Sequence, residues 1–87
     1  MSYPYTFPEV TVRNHTLYDQ FEKLLEEIKE LRHALQYESI DKVCEELQDV
    51  MQVCEGMNRD LEEGGEDMVH WHEFVIEKNR RRGYYNA

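Results

Sequence analysis

Only two prolines, two cysteines and four glycines occur in the 87 residues, and each scarcity excludes something. Both prolines fall within residues 1–13, so no imino ring interrupts the long amphipathic runs that follow. The cysteines, Cys44 and Cys54, lie ten apart on one expected helix, about 15 Å of rise, which is too far for a mutual disulfide. A C-x-x-C pair is absent, and buried thiols in a reducing cytosol are the expectation. No apolar run approaches the roughly 18 residues of a membrane span, and the N-terminus has no basic start followed by a hydrophobic stretch. A cytoplasmic protein without a membrane partner is expected. Bases are also few, 10 against 19 acids for a net charge of −9, which argues against a nucleic-acid polymer as partner. No G-x-x-x-x-G-K-[ST] loop, nucleophile elbow or Cys–His pairing is present, so P-loop and covalent-triad chemistry have no footing.

What is present is helical periodicity. Leu17, Phe21, Leu24, Ile28, Leu31 and Leu35 alternate steps of four and three, as do Ile40, Val43, Leu47, Val50, Cys54, Met57 and Leu61. Asn14 or Thr16 is expected to cap a first helix running to about Tyr37, and Ser39 a second running to about Glu62. Gly64-Gly65 ends the second, and a third extends from about Asp67 to Arg82, stopped at Gly83. Residues 1–13 read as an extended arm in which Tyr3, Tyr5 and Phe7 alternate, and residues 14–87 as one helical domain. Three helices bury their seams poorly without a fourth. The expected architecture is therefore all-α, a three-helix protomer assembling as a homodimer or dimer of dimers into a four-helix-bundle-like oligomer.

With Phe21 and Ile40 written as heptad position a, Glu27 and Glu46 are both g, and Glu30 and Asp49 both c. Each helix thus carries two carboxylates three residues apart on one flank of its seam. A short connection makes the helices antiparallel neighbours and brings the flanks together. Two carboxylates about 4 Å apart repel by roughly 1 kcal/mol in water and several times that at lower dielectric. Four together call for a cation or protons, and oxygen-only ligands favour Mg²⁺, with Mn²⁺ the alternative, over zinc. Solvated acids decorating a coiled seam are the plain alternative.

Glu26-Glu27-x-x-Glu30, fifteen residues, then Glu46-x-x-Asp49 resembles the EExxE…ExxD signature of the MazG-like all-α nucleoside triphosphate pyrophosphohydrolases, and the wording EELQDV is similar to that family's second half. The resemblance spans about residues 15–85. It implies hydrolysis of a nucleoside triphosphate, deoxy or ribo, to the monophosphate and pyrophosphate, with Glu27, Glu30, Glu46 and Asp49 holding Mg²⁺ and Glu26 polarising water or holding a further metal. Lys78-x-x-x-Arg82-Gly83-Tyr84 resembles the K-x-x-x-R-G-Y closure of small MazG-like proteins, and Asn79-Arg80-Arg81-Arg82 the N-R-R-R run of the dCTP-pyrophosphatase branch. Lys78, Asn79 and Arg82 are implied as phosphate contacts, within one chain or across a subunit boundary. In the second branch the lysine stands four residues before the asparagine, where this chain has Val75. Phosphoribosyl-ATP pyrophosphohydrolase, of the same superfamily, is an alternative, and a helical adaptor without catalysis is another.

Other residues carry less. Two positions of helix turn His70 and His72 about 200° apart, which argues against a zinc site. Trp71 is expected in the core, His33 in solvent, and His15 near the first cap or, as the resemblance to the dCTP-pyrophosphatase branch implies, beside a base pocket.

Overall fold

The computed structural model describes residues 3–11 and 16–86, and among these the regular structure is entirely helical. The chain order is α1 (Leu17–Tyr37), α2 (Ile40–Glu63) and α3 (Met68–Arg81). Each start is capped by the side chain that best competes for a free helix N–H. The Thr16 hydroxyl accepts from Asp19, the Ser39 hydroxyl from Lys42, and the Asp67 carboxylate from His70. Asn14 and His15, singled out from the sequence, lie outside the described residues, as do residues 1, 2, 12, 13 and 87.

The stops are equally local. Gly65 and Gly83 adopt φ of 102° and 79°, where a Cβ would be strained, and each follows the last helical turns of α2 and α3. After α2 the Gly65 and Glu66 amides donate to the Glu62 and Leu61 carbonyls, and after α3 the Gly83 and Tyr84 amides donate to those of Arg80 and Asn79. Both ends are therefore Schellman closures.

α1 and α2 form an antiparallel hairpin that carries nearly all the interhelical packing, while α3 meets α2 alone. The hairpin is not seamed as the heptads predicted. Gln20, Glu27 and Ala34 are buried on α1 and Glu46 on α2, so the row facing the neighbouring helix is rotated by about one residue toward the acids. The predicted seam is partly uncovered: Phe21, Ile28, Ile40 and Leu47 are 43%, 44%, 73% and 44% exposed. Periodicity fixes which residues share a stripe, not which neighbour covers it. At the open end of the hairpin Gln20 donates to Asp60, and a Cβ on Gly56 would lie 3.2 Å from the Gln20 amide oxygen. A glycine there lets the helices approach around a polar side chain.

Ala34 is the one buried apolar residue among those described. Cys44 and Cys54 are both exposed rather than buried, although local shielding raises the pKa of the Cys54 thiol. Trp71, expected in the core, is 45% exposed. Cys44 and Cys54 face outward from a two-helix hairpin that has only one inner face, and Trp71 stands on α3, which among the helices meets α2 alone. The radius of gyration is 15.1 Å, against about 12 Å for a compact domain of this length.

The arm lies on α2. Glu55 accepts from the Thr6 amide and hydroxyl and from the Phe7 amide, and Glu62 accepts from the Tyr3 amide and the Tyr5 hydroxyl, both at 2.8 Å. Arg59 stacks 4.0 Å over the Tyr5 ring and donates to the Phe7 carbonyl. Tyr3 also meets His72 edge-on, with ring centroids 5.4 Å apart, so the arm touches both α2 and α3. No described helix is long and apolar enough to cross a membrane.

Candidate metal centre

The antiparallel register places the middle of α1 against the first half of α2. Glu27, Glu46 and Asp49 converge there, each offering a carboxylate oxygen within 4.8 Å of the others. Glu27 and Glu46 are buried and Asp49 half-buried. Glu30 stands beside this triangle, its carboxyl directed at Glu46. Its pKa is raised, first by the charge of Glu27 and then by the contact with Glu46. Burial raises the pKa of Asp49, and Glu27, Glu46 and Glu45 push the same way. All four acids expected from the sequence as metal ligands therefore gather in one region, three of them within one coordination sphere's reach.

Glu26 is placed differently. Its side chain is 69% exposed and directed at Lys23, 3.6 Å away, outside the group of three. One residue of helix rotates it about 100° from Glu27, and Glu27 has taken the inner position.

Two lysines frame the carboxylates. Lys23 reaches Glu27 at 3.1 Å as well as Glu26, and Lys42 reaches Glu46 at 3.2 Å as well as Glu45. Sequence reasoning passed over both. The signal was there as a repeated K-x-x-E-E, Lys23 to Glu27 and Lys42 to Glu46, which at helical spacing sets each lysine one turn before an inward acid. Each lysine pKa is raised by its acids: in Lys23 the hydrogen bond to Glu27 leads, in Lys42 that to Glu45. With Glu26 and Glu45, which share these lysines, six carboxylates face two ammonium groups, a negative excess that a divalent cation would reduce.

A further observation concerns Glu46. Only 4% of the residue is exposed, one oxygen is held by Lys42, and the other, Oε2, is buried with no hydrogen-bond partner. A buried anionic oxygen without a donor costs on the order of 1–3 kcal/mol or more. A cation among these three acids would satisfy it, and an all-carboxylate donor set suits a hard ion such as Mg²⁺ or Mn²⁺.

Compared with family models, with curated proteins and with solved structures, the chain matches none of them.

Lys78, Asn79 and Arg82 stand at the far end of α3. Lys78 and Arg82 are exposed and Asn79 half-buried. Glu77 pairs with Arg80 and Arg81, not with Lys78 or Arg82. α3 does not pack on α1, which carries Glu27 and Glu30, so a single chain does not join this basic end to both walls of the acid cluster. His70 and His72 belong to no described metal-ligand group; His70 packs on Trp71 and His72 on Tyr3. His33 is exposed, as expected, lies 3.6 Å from Glu38 and packs against Tyr37.

Proposed function

We propose that the protein is a Mg²⁺-dependent nucleoside triphosphate pyrophosphohydrolase of the MazG-like kind, converting a (deoxy)nucleoside triphosphate to the monophosphate and pyrophosphate. The observation that carries this reading is the unpartnered, buried Oε2 of Glu46 inside a three-carboxylate cluster. The order of the acids along the chain, similar to EExxE…ExxD, supports it. Glu27, Glu46 and Asp49 would hold the cation, with Glu30 beside them to join it. Bound there, Mg²⁺ would supply charge neutralisation for the triphosphate and orientation for in-line attack.

In the reaction a water oxygen bonds to the α-phosphorus while the bond from that phosphorus to the α,β-bridging oxygen breaks. The electron pair leaves with pyrophosphate and the water proton passes to a base. Glu26 is the candidate for that base. Its exposed side chain is restrained by Lys23 and would reach inward only by rotation.

A homodimer or dimer of dimers completes the proposal. The chain exposes 6819 Å², about 1,300 Å² more than a folded monomer of its mass. That excess is above the roughly 800 Å² each partner contributes to a stable interface. Covering the stripe of Phe21, Ile28 and Leu47 with a second copy would provide the missing core, and the basic end of α3, with Lys78, Asn79 and Arg82, could then meet phosphates across the subunit boundary.

The same exposed stripe favours the rival reading, a helical interaction module without catalysis. Purified protein incubated with each dNTP, the ribonucleotides and phosphoribosyl-ATP in Mg²⁺, assayed for pyrophosphate beside Glu46→Gln, separates the two. Turnover by the wild type that Glu46→Gln loses supports the enzyme. Equal background from both would refute it.

A further inference from the structure

An open cleft of ≈ 400 Å³ lies next to the carboxylate triangle, toward the α1–α2 turn, lined by Lys29, Glu30, His33, Glu38, Lys42 and Glu46. It shares Glu30 and Glu46 with the acid cluster, and Glu46 is the residue whose second oxygen is buried without a partner. The lining is mixed in a particular way. Glu30 and Glu46 stand on the side of the cluster, while Lys29, His33 and Lys42 bring nitrogen donors from both helices. Lys42 is engaged by Glu45 and Glu46, and His33 by Glu38. Lys29 makes no ion pair with any described residue, so its ammonium group is free to meet an anion.

From this arrangement we propose that the cleft is a polyphosphate subsite: the anion chelated by the cation of the acid cluster lies toward the hairpin turn, held by Lys29 and His33, with Lys42 released to it as the cation takes over Glu46. This rests on the metal reading above and adds to it the direction in which the phosphates leave the cation. The physical case is charge order. Acids on one side recruit the divalent ion, whose remaining positions face a cavity to which Lys29, His33 and Lys42 bring donors, with Glu38 at its outer side. Lys29 and His33 stand one helical turn apart, about 6 Å along the axis, so they can engage different phosphates of one chain. A lysine contributes here as a mobile point charge, which suits phosphate oxygens of no fixed orientation. Glu38 would keep His33 in place and, being anionic, would mark the outer limit of the subsite.

The test uses the full chain and inorganic tripolyphosphate, which has no base or sugar to bind elsewhere. Mn²⁺ binding is measured first, by electron paramagnetic resonance, on wild type, Lys29→Ala, His33→Ala and Arg80→Ala. Tripolyphosphate affinity is then measured by calorimetry at saturating Mn²⁺. Lys29 is exposed, and a circular dichroism melt confirms that each variant folds. Lys29→Ala is expected to weaken tripolyphosphate about tenfold, the scale of one charge-assisted contact, and His33→Ala by a smaller factor, with Mn²⁺ affinity changing less than about twofold. Arg80→Ala removes the same charge from α3 and should leave both affinities in place. Unchanged tripolyphosphate affinity in Lys29→Ala with Mn²⁺ still bound would overturn the subsite and spare the metal centre; an equal loss in Arg80→Ala would reduce it to bulk charge. A wild type that binds no Mn²⁺ would bring down the metal centre and the subsite together.

Discussion

Replacing Asp49 by asparagine should make the metal-free protein more stable and the metal-loaded protein less so. Glu27, Glu46 and Asp49 present oxygens within 4.8 Å of one another, which corresponds to a repulsion per pair of about 0.9 kcal/mol at the dielectric of water and about 3.5 kcal/mol at an effective dielectric of 20. Asp49 takes part in two of the three pairs. It is half-buried at the edge of the cluster, so the water-like figure is the safer one, giving about 2 kcal/mol for the two pairs together. Against this stands the lost attraction of Lys42 for Asp49, which leaves a net gain of about 1 kcal/mol, or roughly 4–8 °C in melting temperature for a domain of this size. In Mg²⁺ at a hundred times its dissociation constant the wild type gains about 2.7 kcal/mol, and the variant, lacking a ligand, gains far less. The two melting curves should therefore exchange order between chelator and Mg²⁺. Scanning calorimetry of both proteins at one fixed concentration reads this directly. If Asp49→Asn melts below the wild type in chelator, or rises as much in Mg²⁺, the account of the cluster as a repulsive site awaiting a cation is wrong.

Acidity and assembly supply two more tests. Glu30 and Asp49 have raised pKa values, so their contribution to stability is full below the ordinary carboxylate range and is lost as pH rises through the raised values. Chemical denaturation in chelator should show stability increasing as pH falls from neutrality toward that range, and a steady decline would contradict the assignment. Glu55 behaves oppositely: burial pulls its pKa up, but hydrogen bonds from the Thr6 hydroxyl and the Phe7 and Thr6 amides outweigh it and hold the value low. Its contribution is present above the ordinary range and lost as pH falls through the lowered value, so tyrosine fluorescence should report release of the arm only in stronger acid. For assembly, sedimentation of the wild type at micromolar concentration should give a dimer or larger, and Ile28→Asp with Leu47→Asp a monomer; a monomeric wild type at every concentration would remove the oligomer from the proposal.

The bounds of the helices were legible from local chemistry. Thr16, Ser39 and Asp67 cap because a short polar side chain competes for free N–H groups, and Gly65 and Gly83 stop helices because they adopt positive φ. These interactions span a few residues, so a linear reading contains both partners. The matched spacing of Glu27 with Glu30 and Glu46 with Asp49 was legible for the same reason. The rotation of each helix was not. Whether the Phe21 stripe or the Glu27 row faces inward depends on what covers the other side, a matter of long-range packing that two short rods answer with their single shared face. Tertiary structure alone turned Glu27 inward and Glu26 out to Lys23, uncovered Cys54 and Trp71, and buried one oxygen of Glu46 without a partner. Sequence set the supply of acids along each helix; the hairpin decided which of them meet, because one residue of rotation, about 100°, separates a solvated carboxylate from a buried one.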